Sequence, residues 1–375
     1  MTFRFLLGLF LLTGLTVPAS SAELSEKFDA GNLDQAIWDV CQADYPRLVA
    51  FREDGQNEPK QRYLSLSIDE DRGNVDECVH LETATDLQAP EEGEIRFDDM
   101  SQDFLSDFGM SLIAPKSLES AAECDDGDED NVQRNELRLL QNKHIHNVVD
   151  PHWYSIRFRL NGDIPPCGSS RWITAQWKYK FKKKWQHKDY KPNPVVAQRF
   201  DNGVLHVTVQ NERCRCMVAV ADGDPYFKPE VAQSFAAPET LTAERLKETA
   251  PLKCFLSGED FDGSPPSCTP SGFKLLTIDG TAPPRLPDPK KDWVTMTYRI
   301  KGTDRHDGLI DIYANGSFIT RVTGLIGYEK ANPGKVKFKF GVYRAGLPGT
   351  AAMDVDEICI SENIEACQPA LTTFD

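Results

Sequence analysis

Two stretches near the middle of the chain change polarity every second residue. In His152-Trp-Tyr-Ser-Ile-Arg-Phe-Arg-Leu160, Tyr154, Ile156, Phe158 and Leu160 fall on one side. In Arg171–Phe181 (RWITAQWKYKF), Trp172, Thr174, Gln176 and Lys178 alternate with Ile173, Ala175, Trp177, Tyr179 and Phe181. A period of two places alternate side chains on opposite faces of a strand, so each stretch reads as a strand with one face buried. Val204–Val209, Trp293–Ile300, Val336–Val342 and Met353–Ile360 repeat the signal. Leu309–Val322 reads as a hairpin around Asn315-Gly316, a pair that supplies the positive φ angles of a tight turn. Glu239–Thr249 (ETLTAERLKET) is the one segment that reads as a helix, inside a stretch, 211–292, read as an irregular, disulfide-pinned insertion. No period of 20–50 residues recurs, which excludes a propeller or solenoid. The expectation is a single domain over 23–375: an all-β, concanavalin A-like jelly-roll sandwich of two antiparallel sheets, one of them exposing a groove.

Met1–Ala22 opens with Arg4, continues as the apolar stretch Phe5–Val17 and ends on Ser20-Ser21-Ala22. That order is the pattern of a secretory signal peptide cleaved near Ala22, and the apolar run is too short for an anchor. A secreted or periplasmic protein, with no membrane attachment after cleavage, is expected. The ten cysteines agree, since an even number in an exported chain reads as disulfides. None shows zinc spacing. Cys214 and Cys216 lie too far apart along a strand to bridge each other, so each pairs elsewhere. Cys254–Cys268 and Cys359–Cys367 are candidate local bridges.

The charge balance is −16, which disfavours nucleic acid as a partner. Against that background, the run Lys178–Lys191 (KYKFKKKWQHKDYK) interleaves lysines with Tyr179, Phe181, Trp185 and Tyr190. Cations beside aromatic platforms suit an anionic polysaccharide, and a solvated loop is the plain alternative. Three strand segments carry polar groups at alternate positions: Arg134, Glu136 and Arg138; Gln176 and Lys178; Lys339 and Tyr343. If their faces coincide, the chain has a polar site on one sheet; otherwise each is an ordinary solvent face.

These segments, RNELR, Q-x-[basic] and KFKFGVYR, resemble the signature segments of jelly-roll polysaccharide lyases. That group comprises the heparin lyase I-like, glucuronan lyase and alginate lyase families, and the likeness is strongest to the heparin lyase I group. The resemblance runs from about Asn131 to Glu362, without the insertion. It implies β-elimination on a uronic-acid-containing polysaccharide. Gln176 and Arg134 would hold the substrate carboxylate, with Glu136 and Arg138 fixing them. Tyr343 would be the acid, or both acid and base, and Lys339 would contact substrate; Lys180 and Trp185 of the basic run, and Arg344, are further candidate substrate contacts. The family's histidine in the Q-x-H segment is Lys178 here. An ordinary lysine, of pKa about 10.4, is a poor base unless burial or neighbouring cations lower it. Lys180, Lys182, Lys183 and Lys184 could crowd it; otherwise the base is Tyr343 or one of His144, His146, His152 and His187.

Other chemistries lack their motifs: G-x-S-x-G, H-E-x-x-H, a P-loop and the E-x-D-x-x-E string of retaining glucanases are all missing. No cofactor is required for the elimination. Asp125–Asp130 (DDGDED) is acidic enough to suggest a structural calcium, without matching an EF-hand. The expected function is an exported polysaccharide lyase, a monomer acting on an anionic glycan. The alternatives are a non-catalytic carbohydrate-binding protein of the same fold and an envelope structural or adhesion protein.

Overall fold

The computed structural model describes residues 24–28, 38–41, 49–54, 61–68, 78–79, 132–139, 150–162, 172–181, 193–212, 214–222, 242–256, 268–302, 305–328, 331–345, 351–368 and 371. The leader 1–22, the acidic run 125–130, Trp185, Lys182–Lys184, His144, His146 and His187 lie outside them.

Nearly all the described elements are strands. The first six are β1 (Leu24–Lys27), β2 (Trp38–Cys41), β3 (Val49–Asp54), β4 (Gln61–Ile68), β5 (Cys78–Val79) and β6 (Val132–Leu139). The next seven are β7 (His152–Gly162), β8 (Trp172–Phe181), β9 (Val196–Arg199), β10 (His206–Asn211), β11 (Cys214–Val220), β12 (Leu246–Thr249) and β13 (Lys253–Leu256). The last six are β14 (Phe273–Ile278), β15 (Val294–Lys301), β16 (Gly308–Ala314), β17 (Ser317–Gly324), β18 (Ala331–Ala345) and β19 (Ala351–Ser361). They form two antiparallel sheets. One runs β12-β14-β17-β16-β15-β7-β19-β4-β3, with β1 added to β19; the other runs β13-β11-β10-β9-β8-β18-β6-β2-β5.

The alternating residues read from the sequence meet between these sheets. Tyr154, Ile156, Phe158 and Leu160 of β7 and Tyr298 of β15 face Trp177 of β8 and Phe338 and Phe340 of β18, all buried. Rings interlock across the interface: Tyr154 lies 5.4 Å from Trp177, and Trp177 lies 4.8 Å from Tyr298. Burying one such ring contributes about 1.5–3 kcal/mol, so these rows hold the sheets face to face. Asn315 (φ 48°) and Gly316 (φ 78°) form the turn between β16 and β17, as the Asn-Gly pair requires.

Three readings are corrected. The predicted helix Glu239–Thr249 is, in its described part, a single 3-10 turn at Ala243–Arg245 followed by β12. Pairing with β14 satisfies the backbone there, and Leu246 packs beside Trp153, Tyr313 and Phe318; tertiary packing overrides the local helix preference. In its described part, the stretch 211–292 is not an irregular insertion: β11, β12, β13 and β14 lie in it and extend both sheets at one end. The pairing Cys254–Cys268 does not form. Cys216 is directly opposite Cys254 in the β11–β13 register and bonds to it, and Cys214, two residues along, bonds to Cys268. Cys359–Cys367 forms as read, and Cys214 and Cys216 each pair elsewhere.

Candidate active site

The three polar segments are adjacent strands, in the order β6, β18, β8. The β6–β18 register sets Arg134 opposite Tyr343, Glu136 opposite Gly341 and Arg138 opposite Lys339. The β18–β8 register sets Lys339 opposite Gln176 and Lys337 opposite Lys178. Residues directly opposite one another share a face. The intervening Asn135 donates to the Ser67 carbonyl on the other sheet, and Leu137 lies in the core. Arg134, Glu136, Arg138, Lys337, Lys339, Tyr343, Gln176 and Lys178 therefore share the outer face of the nine-stranded sheet.

Glu136 is the hub. It is 1% exposed, accepts a hydrogen bond of 2.5 Å from Gln176 Nε2, and lies 3.2 Å from Arg134 Nε and 3.5 Å from Lys339 Nζ. An unpaired buried carboxylate costs several kcal/mol, and this hydrogen bond and two ion pairs offset that. Gln176 and Glu136 sit on strands separated by β18, about 9.5 Å apart at strand spacing. On β18, Glu136 is opposite Gly341 and Gln176 is opposite Lys339, so their contact crosses β18 diagonally, and the strands pack closely at Gly341. A Cβ there would come 2.3 Å from the Asn135 carbonyl oxygen and 2.8 Å from Glu136 Cα, and its φ of +132° suits only glycine. Gly341→Ala is accordingly expected to disrupt the Gln176–Glu136 contact and lower the thermal midpoint; an unchanged midpoint and unchanged activity would contradict this reading.

Arg134 also lies over the Tyr343 ring, 4.6 Å from its centroid, which fixes the ring and puts a cation beside the phenol. Lys178 is half-buried, with a pKa pushed down to about 8, first by burial and then by Lys339, Lys337 and Arg134; Glu136 acts in the opposite sense. Burial lowers Lys339 too, with Arg134 and Arg138 adding to the effect and Glu136 opposing it. At pH 7 about one Lys178 in ten is neutral, against about 1 in 2,500 for an ordinary lysine. The arrangement can hold an anion, supply a neutral amine and supply a phenol.

Residues 115–359 match the sequence model of the polysaccharide lyase family. The chain belongs to that family. Compared with curated proteins, the lyase has no match. Among solved structures it is similar to an endo-β-1,4-glucuronan lyase from the fungus Trichoderma reesei. The identity is 12%, with 64% of this chain and 79% of that one covered and a TM-score of 0.35. It is similar to the alginate lyase AlyC3 at 15% identity, with 62% and 71% covered and a TM-score of 0.31. It also matches the binding domain of botulinum neurotoxin DC at 12% identity, covering 61% of this chain and 37% of that one, with a TM-score of 0.28.

Two site expectations change in the lyase. Arg344, read as a substrate contact, is 1% exposed and one residue out of phase with Tyr343; its strand position turns it away from the outer face. His152, a candidate base, lies on β7 in the opposite sheet, with Nδ1 2.9 Å from the Asp150 carbonyl oxygen and Nε2 3.6 Å from Glu362. Lys180 is placed opposite Asn332 in β18. The sequence reading missed Lys337, although it shares the period of Lys339 and Tyr343. Lys180 and Lys182–Lys184, which could also crowd Lys178, have side chains outside the described residues; among the described residues the crowding comes from β18 and β6. Among the described residues no cluster of three or more His, Cys, Asp or Glu could hold a metal ion, and no helix is long and apolar enough to cross a membrane.

Proposed function

We propose that this lyase is exported and cleaves a uronic-acid-containing polysaccharide by β-elimination on the outer face of the nine-stranded sheet. The observation that carries the reading is the Arg134–Glu136–Gln176 cluster, set between a phenol and a lysine of lowered pKa on one surface. The C5 proton of a uronate is too weakly acidic to leave unless its carboxylate is neutralised. Gln176 and Arg134, held by Glu136, supply that neutralisation as negative charge develops toward the carboxylate. Lys178 in its neutral form takes the proton, and Tyr343 gives its own to the departing glycosidic oxygen. The electron pair of the C5–H bond becomes the C4–C5 double bond as the C4–O bond breaks. Lys337, Lys339 and Arg138 add cations that suit a polymer with repeated negative charges, in a chain whose overall charge is −16. The leader-like segment 1–22 and the disulfides support export.

A second reading is favoured by the strand register. Tyr343 is opposite Ile173, and Lys178 lies five positions further along β8, about 16 Å at strand rise. In that reading Tyr343 both removes the C5 proton and protonates the leaving oxygen, and Lys178 only steadies the carboxylate.

Purified protein incubated with heparin, heparan sulfate, glucuronan, alginate and hyaluronan, beside a neutral glucan, tests the proposal. Ultraviolet absorbance of an unsaturated uronyl end should grow with at least one anionic polymer and not with the neutral one. Absorbance on none of them, with binding still detectable by affinity electrophoresis, would make the protein a carbohydrate-binding member of the fold.

A further inference from the structure

Beneath the outer face, three fully buried polar side chains connect the two sheets. Tyr298 of β15 donates to Gln198 Oε1 at 2.8 Å, and Gln198 Nε2 of β9 donates to Thr174 Oγ1 at 2.9 Å. The Thr174 hydroxyl in turn lies 3.2 Å from the Gln198 carbonyl oxygen, to which it donates. All three residues are 0% exposed. Burial pushes the Tyr298 phenol well above its ordinary value, so it remains a donor at any working pH.

A core built for cohesion alone would be apolar at this level, because a buried polar group contributes little net stability and costs about 1–3 kcal/mol when left unpaired. The place where the chain of bonds ends accounts for it. Thr174 is the extra residue of a bulge: Ile173 and Ala175 pair with the consecutive residues Arg199 and Gln198 of β9. On the other edge of β8, the register shifts again between Phe340 and Tyr343. These stacked irregularities turn Thr174 into the core, where strict alternation would have left it beside Gln176. They also bring Ile173 opposite Tyr343. Bulges re-aim side chains in this way and commonly lie beside active sites. Tyr298 grips the same strand a second time, its ring 4.8 Å from that of Trp177, the residue between Gln176 and Lys178.

We propose that Tyr298, Gln198 and Thr174 are positioning residues: a hydrogen-bonded relay from the opposite sheet that pins the β8 bulge and so sets Gln176 and Lys178 in register with Tyr343. The proposal rests on the elimination reading above, since it assigns the relay to the placement of those groups. It adds a requirement that no outer-face residue reveals, namely that an intact buried hydroxyl on the far sheet is needed for turnover.

The test uses the full chain and the uronan that the wild type cleaves fastest in the polymer panel. Tyr298→Phe keeps the ring on Trp177 and removes the hydroxyl alone; Thr174→Val keeps the shape and removes the acceptor; Thr174→Ser retains it. Displacement of a reacting group by about 1 Å costs up to 100-fold. The expected result is therefore a fall in kcat of about 10- to 100-fold for Tyr298→Phe and Thr174→Val, with KM within about twofold and Thr174→Ser near wild type. The double variant should be little worse than either single one, because one chain of bonds is being cut twice. A kcat within about twofold of wild type in both single variants, assayed well below their thermal midpoints, would reduce the relay to scaffold and overturn the proposal. A wild type inactive on every uronan would instead sink the elimination reading, and the relay's role with it.

Discussion

Tyr343→Phe is expected to lower kcat by about 10²- to 10⁴-fold while leaving KM within a few-fold, the loss associated with removing one proton-transfer group. The substitution deletes a single oxygen. The ring stays in place, held by the Arg134 guanidinium 4.6 Å above it, and Arg134 keeps its contact with Glu136. The anion-holding cluster therefore survives, substrate still binds, and only the proton for the departing glycosidic oxygen is missing. Turnover assays on the preferred uronan, with circular dichroism to show an unchanged fold, check this. A variant that retains more than about a tenth of wild-type kcat would remove Tyr343 from the chemistry.

The second large effect is on pH dependence. Because Lys178 acts in its neutral form, kcat/KM should rise with pH and level off above about 8, the value to which burial and the charges of Lys339, Lys337 and Arg134 bring it. Lys178→Ala should abolish that rise together with most of the rate. Lys337→Gln is the sharper variant. Lys337 and Lys178 are directly opposite in register, a like-charge pair that destabilises the sheet and lowers the pKa of Lys178. Removing the Lys337 charge stabilises protonated Lys178, so the rising limb should move to higher pH and the rate at pH 7 should fall. A limb that stays in place in Lys337→Gln, or that survives in Lys178→Ala, would favour Tyr343 as the sole acid and base.

Period-two alternation made the architecture legible. The rows Tyr154–Leu160 and Val294–Ile300 form core strands because a residue facing an opposing sheet must be apolar. The shared polar face of the candidate site was legible for the same reason: a polar residue at every second position of β6 and β18 marks a face turned from the core. What alternation cannot register is a bulge. Thr174 follows the period of Gln176 and Lys178 in the sequence yet lies in the core, and its partners Gln198 and Tyr298 come from separate strands. Arg344, beside Tyr343, is polar and buried, so residue type gives the wrong face; only the register assigns it. Leu246–Thr249 has helix-forming neighbours and becomes a strand because an open sheet edge at β14 is there to receive it. Lys178, an unsuitable base on residue type alone, becomes suited to the role first through burial and then through three cations on β18 and β6, which no local window contains.

The central claim is that this outer face breaks a glycosidic bond by elimination, and the mass of the products tests it most directly. Oligosaccharides from the preferred uronan should carry a new non-reducing end lighter by one water than a hydrolysis product. They should form with wild type and fail to form with Tyr343→Phe. Saturated fragments that have gained water, or unsaturated fragments produced equally by Tyr343→Phe, would contradict the account.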